Sequence, residues 1–132
     1  MFFHIDPHNG LAIYDQIVRQ IKFAVAGGVL RPSEMVPSVR ELARELAINP
    51  NTIARAYRQL QDDGVLNGVR GTGLEVAGGA AARCREERIK LIRGRLRQVL
   101  TEARQSHLEP QQVRELVDRE LSALDRSSGR QT

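Results

Sequence analysis

One cysteine, Cys84, stands in 132 residues, and a single thiol cannot close an internal disulfide. Its neighbours Arg83 and Arg85 carry the charge that lowers a thiol pKa, which leaves two readings open, a reactive redox thiol and an incidental surface cysteine. No stretch approaches the ~18 consecutive apolar residues of a membrane span. The opening Met1-Phe2-Phe3-His4-Ile5-Asp6 lacks a basic segment followed by an apolar run, so a soluble, cytoplasmic protein is expected. There is no glycine-rich phosphate loop with its lysine, no cluster of His, Asp and Ser, and no carboxylate pair in an identifiable cleft, which argues against an enzyme. His4, His8 and His107 are scattered without ligand spacing, so no metal or other cofactor is expected. The first 79 residues also lack an excess of either charge, with 8 Lys or Arg against 8 Asp or Glu; the overall +4 arises in residues 80–132, where 12 face 8. Net charge thus supports a polyanionic partner only weakly, and the case rests on where individual basic side chains point.

The most informative stretch runs from Val36 to Val76. Ser38 is placed to cap a helix opening at Pro37-Ser38-Val39-Arg40-Glu41-Leu42-Ala43, with Glu41 three residues on completing a capping box. Asn49 caps a second helix whose first position is Pro50, where a missing N–H costs nothing. Only Ala47-Ile48 lie between, so the two helices must cross steeply, the arrangement that sets a second helix into a DNA major groove. In that helix Ile53, Ala56, Tyr57 and Leu60 share one face, expected to be core, while Asn51, Arg55, Arg58 and Asp62 share the other. Gly64 ends it as a C′ glycine. Val65-Leu66 and Leu74-Glu75-Val76 then read as paired strands; Asn67-Gly68 and Arg70-Gly71-Thr72-Gly73 compete for the turn, and we place the tip near Gly71.

Ahead of this motif, Ile13, Ile17, Ile21 and Ala24 or Val25 form the stripe of an amphipathic helix from Leu11 to about Ala26, ended by Gly27-Gly28. After it, Gly78-Gly79-Ala80-Ala81-Ala82 reads as a loose hinge. From about Ala82 to Arg104, Ile89, Ile92, Leu96, Val99 and Ala103 alternate steps of three and four with Leu100 beside them, a seam that asks for a partner helix. Gly94 interrupts it at a cost of about 1 kcal/mol relative to Ala, so either packing compensates or the helix bends or frays nearby. A last helix after Glu109-Pro110 presents Val113, Leu116, Val117, Leu121 and Leu124, and a polar, frayed tail follows from Arg126. Two such helices cannot bury both stripes alone, so homodimerisation through Ile89, Ile92, Leu96, Val99, Leu100, Val113, Leu116, Val117 and Leu121 is expected. Arg83, Lys90 and Arg97, with Arg93 and Arg104, make a basic flank to the seam, read as solvated or as answering Glu115 or Glu120 across a dimer, with auxiliary DNA contact as the alternative. The expected architecture is mainly α with a small β-hairpin wing: a winged helix-turn-helix domain over residues 1–79 and a two-helix dimerisation region over residues 80–132.

Taken jointly, Ile13-Tyr14-Asp15-Gln16-Ile17, Val36-Pro37-Ser38-Val39-Arg40-Glu41-Leu42-Ala43, Asn49-Pro50-Asn51-Thr52-Ile53-Ala54-Arg55-Ala56-Tyr57 and Arg70-Gly71-Thr72-Gly73 resemble the GntR family of bacterial transcription regulators, in particular its YtrA-like branch. Leu108-Glu109-Pro110 looks like the link between that branch's two C-terminal helices. Three positions depart from the pattern. Ser33 replaces a usual glycine, Leu74-Glu75 replaces a usual Thr-Phe and puts charge where an apolar residue is expected, and Glu109 replaces a better N-cap.

The resemblance implies a sequence-specific DNA-binding regulator, expected to be a repressor, that grips an inverted-repeat duplex as a homodimer. Asn49, Asn51 and Thr52 at the start of the recognition helix are placed to read base edges, with asparagine able to pair bidentately to adenine. Arg55 lies one turn further along the outward row. Ser38 and Arg40 meet phosphate at the preceding helix, and in the family the matching arginine contacts DNA. Arg70, Gly71 and Thr72 at the wing enter the neighbouring minor groove. Taken singly, Arg40 beside Glu45 and Arg55 beside Gln59 read equally as solvated surface, and Asn49 is explained by capping alone. The competing function is a winged-helix module that engages protein or RNA without sequence-specific DNA binding. The C-terminal region is too short to enclose an effector pocket of the usual ~300–1,000 Å³ by itself, so an effector, whose identity the residues do not give, is expected at a dimer interface or hinge.

Overall fold

Helix α1 (Ile13–Ala26), α2 (Val39–Leu46), α3 (Pro50–Asp62), strands β1 (Leu66–Val69) and β2 (Gly73–Val76), then α4 (Ala80–Gln105) and α5 (Pro110–Arg130) follow one another in the computed structural model, which describes residues 3–130. Two compact units result, Met1–Lys90 and Leu91–Thr132.

In the first unit the apolar faces of α1, α2 and α3 meet. Ile17, Ile21, Leu42, Ile53 and Leu60 are fully shielded from solvent, and the expected inner face of α3, Ile53, Ala56, Tyr57 and Leu60, is buried throughout. Tyr57 is a core residue whose hydroxyl donates to Pro37 O at 2.7 Å. From α1, Gln16 and Gln20 tie down the segment that precedes it: each side chain pairs with both backbone groups of one residue, Gln20 with His4 at 2.8 and 2.6 Å and Gln16 with Asp6 at 2.8 and 2.7 Å.

One device ends four helices. The bond spanning six residues that defines the Schellman motif runs from Val29 N–H to Ala24 O, Ile48 N–H to Ala43 O, Val65 N–H to Leu60 O and Leu108 N–H to Ala103 O. Gly28 and Gly64 hold the left-handed position in two of these, but Ala47 (φ 54°) and His107 (φ 63°) hold it in the others. The turn between α2 and α3 therefore depends on an alanine in a conformation that glycine adopts at no steric cost. Ser33, at the position where glycine is usual, has φ 71°, so the departure from the family pattern stores backbone strain of about 1 kcal/mol.

β1 and β2 pair antiparallel with Leu66 opposite Val76 and Val69 opposite Gly73, which puts the turn at residues 70–72. The tip is at Gly71, as the sequence suggested, and Asn67-Gly68 lies inside β1. The unusual Leu74-Glu75 pair is accommodated by alternation: Leu74 packs against the core, while Glu75 stands opposite Asn67 and bridges to Met35 on the other side.

Of the stretch expected as a loose hinge, Gly78-Gly79 form an exposed turn, but Ala80-Ala81-Ala82 are helical. α4 begins at Ala80, which is fully buried, and Cys84 one turn on is 1% exposed. Small side chains there permit close packing of the helix start. Cys84 is thus not a surface thiol, and burial raises its pKa, outweighing Lys22 and Arg83, so the low-pKa reading from its flanking arginines fails. Arg83 is engaged elsewhere, donating from Nη2 to Gly64 O at 2.8 Å.

Lys22, placed by sequence on a mostly apolar helix, is 3% exposed and forms ion pairs with Asp63 at 2.8 Å and Glu87 at 2.7 Å. It thereby joins α1 to the end of α3 and the start of α4. Burial alone would lower its pKa, but hydrogen bonds and charge from Asp63 and Glu87 overcome that and raise it. Burial, with Glu41 and Glu45, also raises Tyr57.

All three groups hold their protons more tightly folded than unfolded, so their stabilisation is whole below the ordinary values, 9.0 for Cys84, 10.0 for Tyr57 and 10.5 for Lys22, and is lost as pH rises through the folded ones. The thermal midpoint is therefore expected to fall as pH rises above about 9, in a calorimetric series from pH 8 to 11. Tyr57→Phe with Lys22→Met should flatten the fall above pH 10, and a level profile for the parent protein to pH 11 would contradict this.

In the second unit α4 runs unbroken through Gly94 and on to Gln105, so the helix does not fray there. The weak N-cap at Glu109 is helped from within α5: Gln112 Oε1 accepts Glu109 N–H at 2.9 Å, the returning half of a capping box. α5 continues to Arg130, so the tail expected to fray from Arg126 is helical that far; Gln131 and Thr132 lie outside the described residues. Among the described residues of this unit no side chain is fully buried. Ile92, Leu96, Val99, Leu100, Leu116, Val117, Leu121 and Leu124 are 41–65% exposed.

Candidate nucleic-acid interface

Local chemistry fixes the start of each helix in the turn motif. Ser38 Oγ accepts Glu41 N–H at 3.0 Å, which supplies one half of the expected capping box; the reciprocal bond from Glu41 is not among those of the described residues. Arg40 sits in the first turn of α2, exposed, with no carboxylate partner among the described residues. An open hollow of about 590 Å³ between α2 and the start of α3 is lined by Val39, Arg40, Ala43, Arg44, Ile48 and Pro50.

At the start of α3, Asn49 Oδ1 accepts Asn51 N–H at 2.8 Å. The cap engages this oxygen, whereas the carboxamide of Asn51 is exposed and unbonded among the described residues. Thr52 is half-buried, its N–H held by Asn49 O at 3.0 Å. Arg55 and Arg58 are exposed. Arg55 does not pair with Gln59; its guanidinium lies 4.3 Å from the centre of the Tyr14 ring. Tyr14 in turn donates to Gln59 Oε1 at 3.0 Å, and Gln59 Nε2 donates to Asp63 at 2.9 Å.

At the wing, Arg70, Gly71 and Thr72 are all exposed. Gly71 has φ 76° with no atom within 4 Å of where a Cβ would stand, so it is conformation rather than crowding that calls for glycine there. Thr72 shares with Ser38 and Glu41 the lining of an open groove of about 660 Å³. Ser38 and Thr72 thus line one hollow and Arg40 the other, with Val39 common to both; Asn49 and Asn51 line neither, and stand at the start of α3 beside Pro50, with Arg55 one helical turn beyond Asn51.

Sequence reasoning missed Tyr14, Gln59 and Lys22. Tyr14 and Gln59 each occupy a helix position compatible with plain packing, and nothing local marks them as partners across 45 residues. Of the described residues, none forms a metal-holding group of three or more His, Cys, Asp or Glu, and no helix is long and apolar enough to cross a membrane.

Residues 13–76 match the family model described as bacterial regulatory proteins, gntR family. The chain is similar to the HTH-type transcriptional repressor YtrA of Bacillus subtilis (strain 168), 34% identical over 119 residues, 90% of this chain and 91% of that protein. Among solved structures it is similar to a transcriptional antiterminator from Listeria monocytogenes EGD-e, with TM-score 0.67 and 29% identity over 90% of this chain and 89% of the other. It is also similar to YtrA from Sulfolobus acidocaldarius, a GntR-family transcription factor, with TM-score 0.54 and 28% identity over 92% and 98%.

Proposed function

The chain belongs to the GntR family of bacterial regulatory proteins and is a DNA-binding transcription regulator; from that premise we propose that it is a cytoplasmic repressor that grips an inverted-repeat operator as a homodimer. The observation that carries the dimer is the second unit: a two-helix hairpin without one fully buried side chain among its described residues, whose apolar stripes remain open as grooves of about 740 and 500 Å³. Such a hairpin is marginal alone and gains a core by meeting its twin. The residues that would meet are Ile89, Ile92, Leu96, Val99 and Leu100 of α4 with Val113, Leu116, Val117 and Leu121 of α5. A two-fold dimer then presents two copies of α3 to one face of a duplex, which is why the operator is expected to be an inverted repeat with half-sites about one turn apart, or a multiple of that.

Within each half-site the roles follow from which polar groups are free. Asn51 keeps both carboxamide atoms for an adenine edge, whereas Asn49 and Ser38 serve chiefly as caps whose surrounding amides face phosphate. Arg40 supplies phosphate contact, Arg55 reaches a guanine or a phosphate, and Thr52 supports the first turn. Arg70, Gly71 and Thr72 enter the adjacent minor groove. Residues 1–79 form the DNA-binding part and residues 80–132 the dimerising part. An effector, if this regulator takes one, fits the apolar grooves only in competition with the partner helices.

Selection of bound duplexes from a random-sequence pool tests the reading. Enrichment of a sequence with two-fold symmetry is expected; a pool that stays random after repeated rounds would support the non-sequence-specific module instead.

A further inference from the structure

Tyr14 lies on α1, outside the helix-turn-helix, yet its ring sits 4.3 Å from the Arg55 guanidinium carbon. We propose that Tyr14 is a positioning residue that holds Arg55 ready for DNA, an inference that rests on the reading of Arg55 as a DNA contact. A guanidinium stacked on an aromatic ring is held by its face. The guanidinium carbon lies over the ring, and the group's five N–H donors make no hydrogen bond among the described residues, so they remain available to a phosphate or a guanine. An unrestrained arginine surrenders the freedom of several rotatable bonds when it binds; one already stacked surrenders less.

The ring is itself held. Its hydroxyl donates to Gln59 Oε1 at 3.0 Å, Gln59 Nε2 donates to Asp63 Oδ1 at 2.9 Å, and Asp63 Oδ2 accepts from the buried Lys22 at 2.8 Å. Arg55 and Gln59 of α3 and Asp63 at its C-cap recur at four-residue spacing, with Tyr14 and Lys22 facing them from α1. The outward arginine is thus tied, through one tyrosine, to groups that the fold fixes.

The test is a binding cycle on the duplex enriched by the parent protein, using Arg55→Ala, Tyr14→Leu, their combination, and Tyr14→Phe, each checked by thermal melting. Tyr14→Met joins them as a second way to remove the ring, should Tyr14→Leu fail to fold. Loss of the ring is expected to weaken binding about fivefold or more, because the contact occurs once per protomer. Arg55→Ala should weaken it at least as much, the combination should be no worse than Arg55→Ala alone, and Tyr14→Phe should stay within about twofold of the parent. In the free protein, the side-chain protons of Arg55 should show a ring-current shift that Tyr14→Phe keeps and Tyr14→Leu or Tyr14→Met removes.

Additive losses, or no ring-current shift in the parent, would overturn the positioning role while leaving Arg55 as a contact. Tighter binding by Tyr14→Leu or Tyr14→Met would also overturn it, since the stack would then be withholding Arg55 from DNA. An Arg55→Ala protein that binds like the parent would overturn the contact reading itself.

Discussion

Replacing Leu96 and Leu121 together by glutamate is expected to give a folded monomer whose affinity for the enriched duplex falls by about 100- to 10,000-fold, the avidity lost when two linked modules become one. Both leucines are about half exposed in the chain, at 49% and 56%, so the carboxylates cost a single protomer little. Across a two-fold interface the cost changes sign and scale. Each charge appears twice, removed from water without a designed partner, and even a partly relaxed buried ion costs several kcal/mol. Sedimentation should therefore find monomers at concentrations where the parent is dimeric, with the melting of the first unit unchanged. A double variant that sediments as a dimer and binds normally would remove the C-terminal hairpin as the interface.

Arg40→Ala isolates the DNA side of the same account. Arg40 is exposed in the first turn of α2 without an acidic partner, so its removal breaks no internal ion pair. A charge-assisted phosphate contact contributes at least ~1 kcal/mol and occurs in both protomers, which together correspond to about a 30-fold loss of affinity. Because phosphate contact carries no sequence information, the loss should be uniform across duplexes, and the slope of log affinity against log salt should flatten by about 2. Dimerisation should persist. Unchanged duplex affinity would place Arg40 on solvated surface and favour the reading in which the winged helix engages something other than DNA.

The parts of this molecule that were legible in its sequence are those decided within one turn of backbone. Ser38 and Asn49-Pro50 open helices because their side chains or rings satisfy the geometry of the first turn, and Gly64 closes one because its φ is positive. The inner face of α3 followed from periodicity alone. Ala47 and His107 close helices by the same bonds as Gly64, but neither residue type advertises a left-handed conformation, so only the surrounding structure reveals them. The start of α4 was misread because glycine and alanine next to one another signal looseness locally, whereas here the alanines are small enough to enter the core. Lys22 and Tyr14 were invisible for a third reason. Their partners Asp63, Glu87, Gln59 and Arg55 lie 41 to 65 residues away, and pairing at that distance is written in the tertiary fold rather than in any spacing. The polar network under the recognition helix was therefore out of reach even though the helix itself was not.

The central claim is that two copies of α3, held by paired C-terminal hairpins, enter successive major grooves on one face of DNA. Hydroxyl-radical footprinting of the parent protein on its enriched duplex tests it most directly. The expected result is two symmetric protected patches whose centres lie about 10 base pairs, or a multiple of one helical turn, apart; a single patch, or two patches on opposite faces of the duplex, would contradict it.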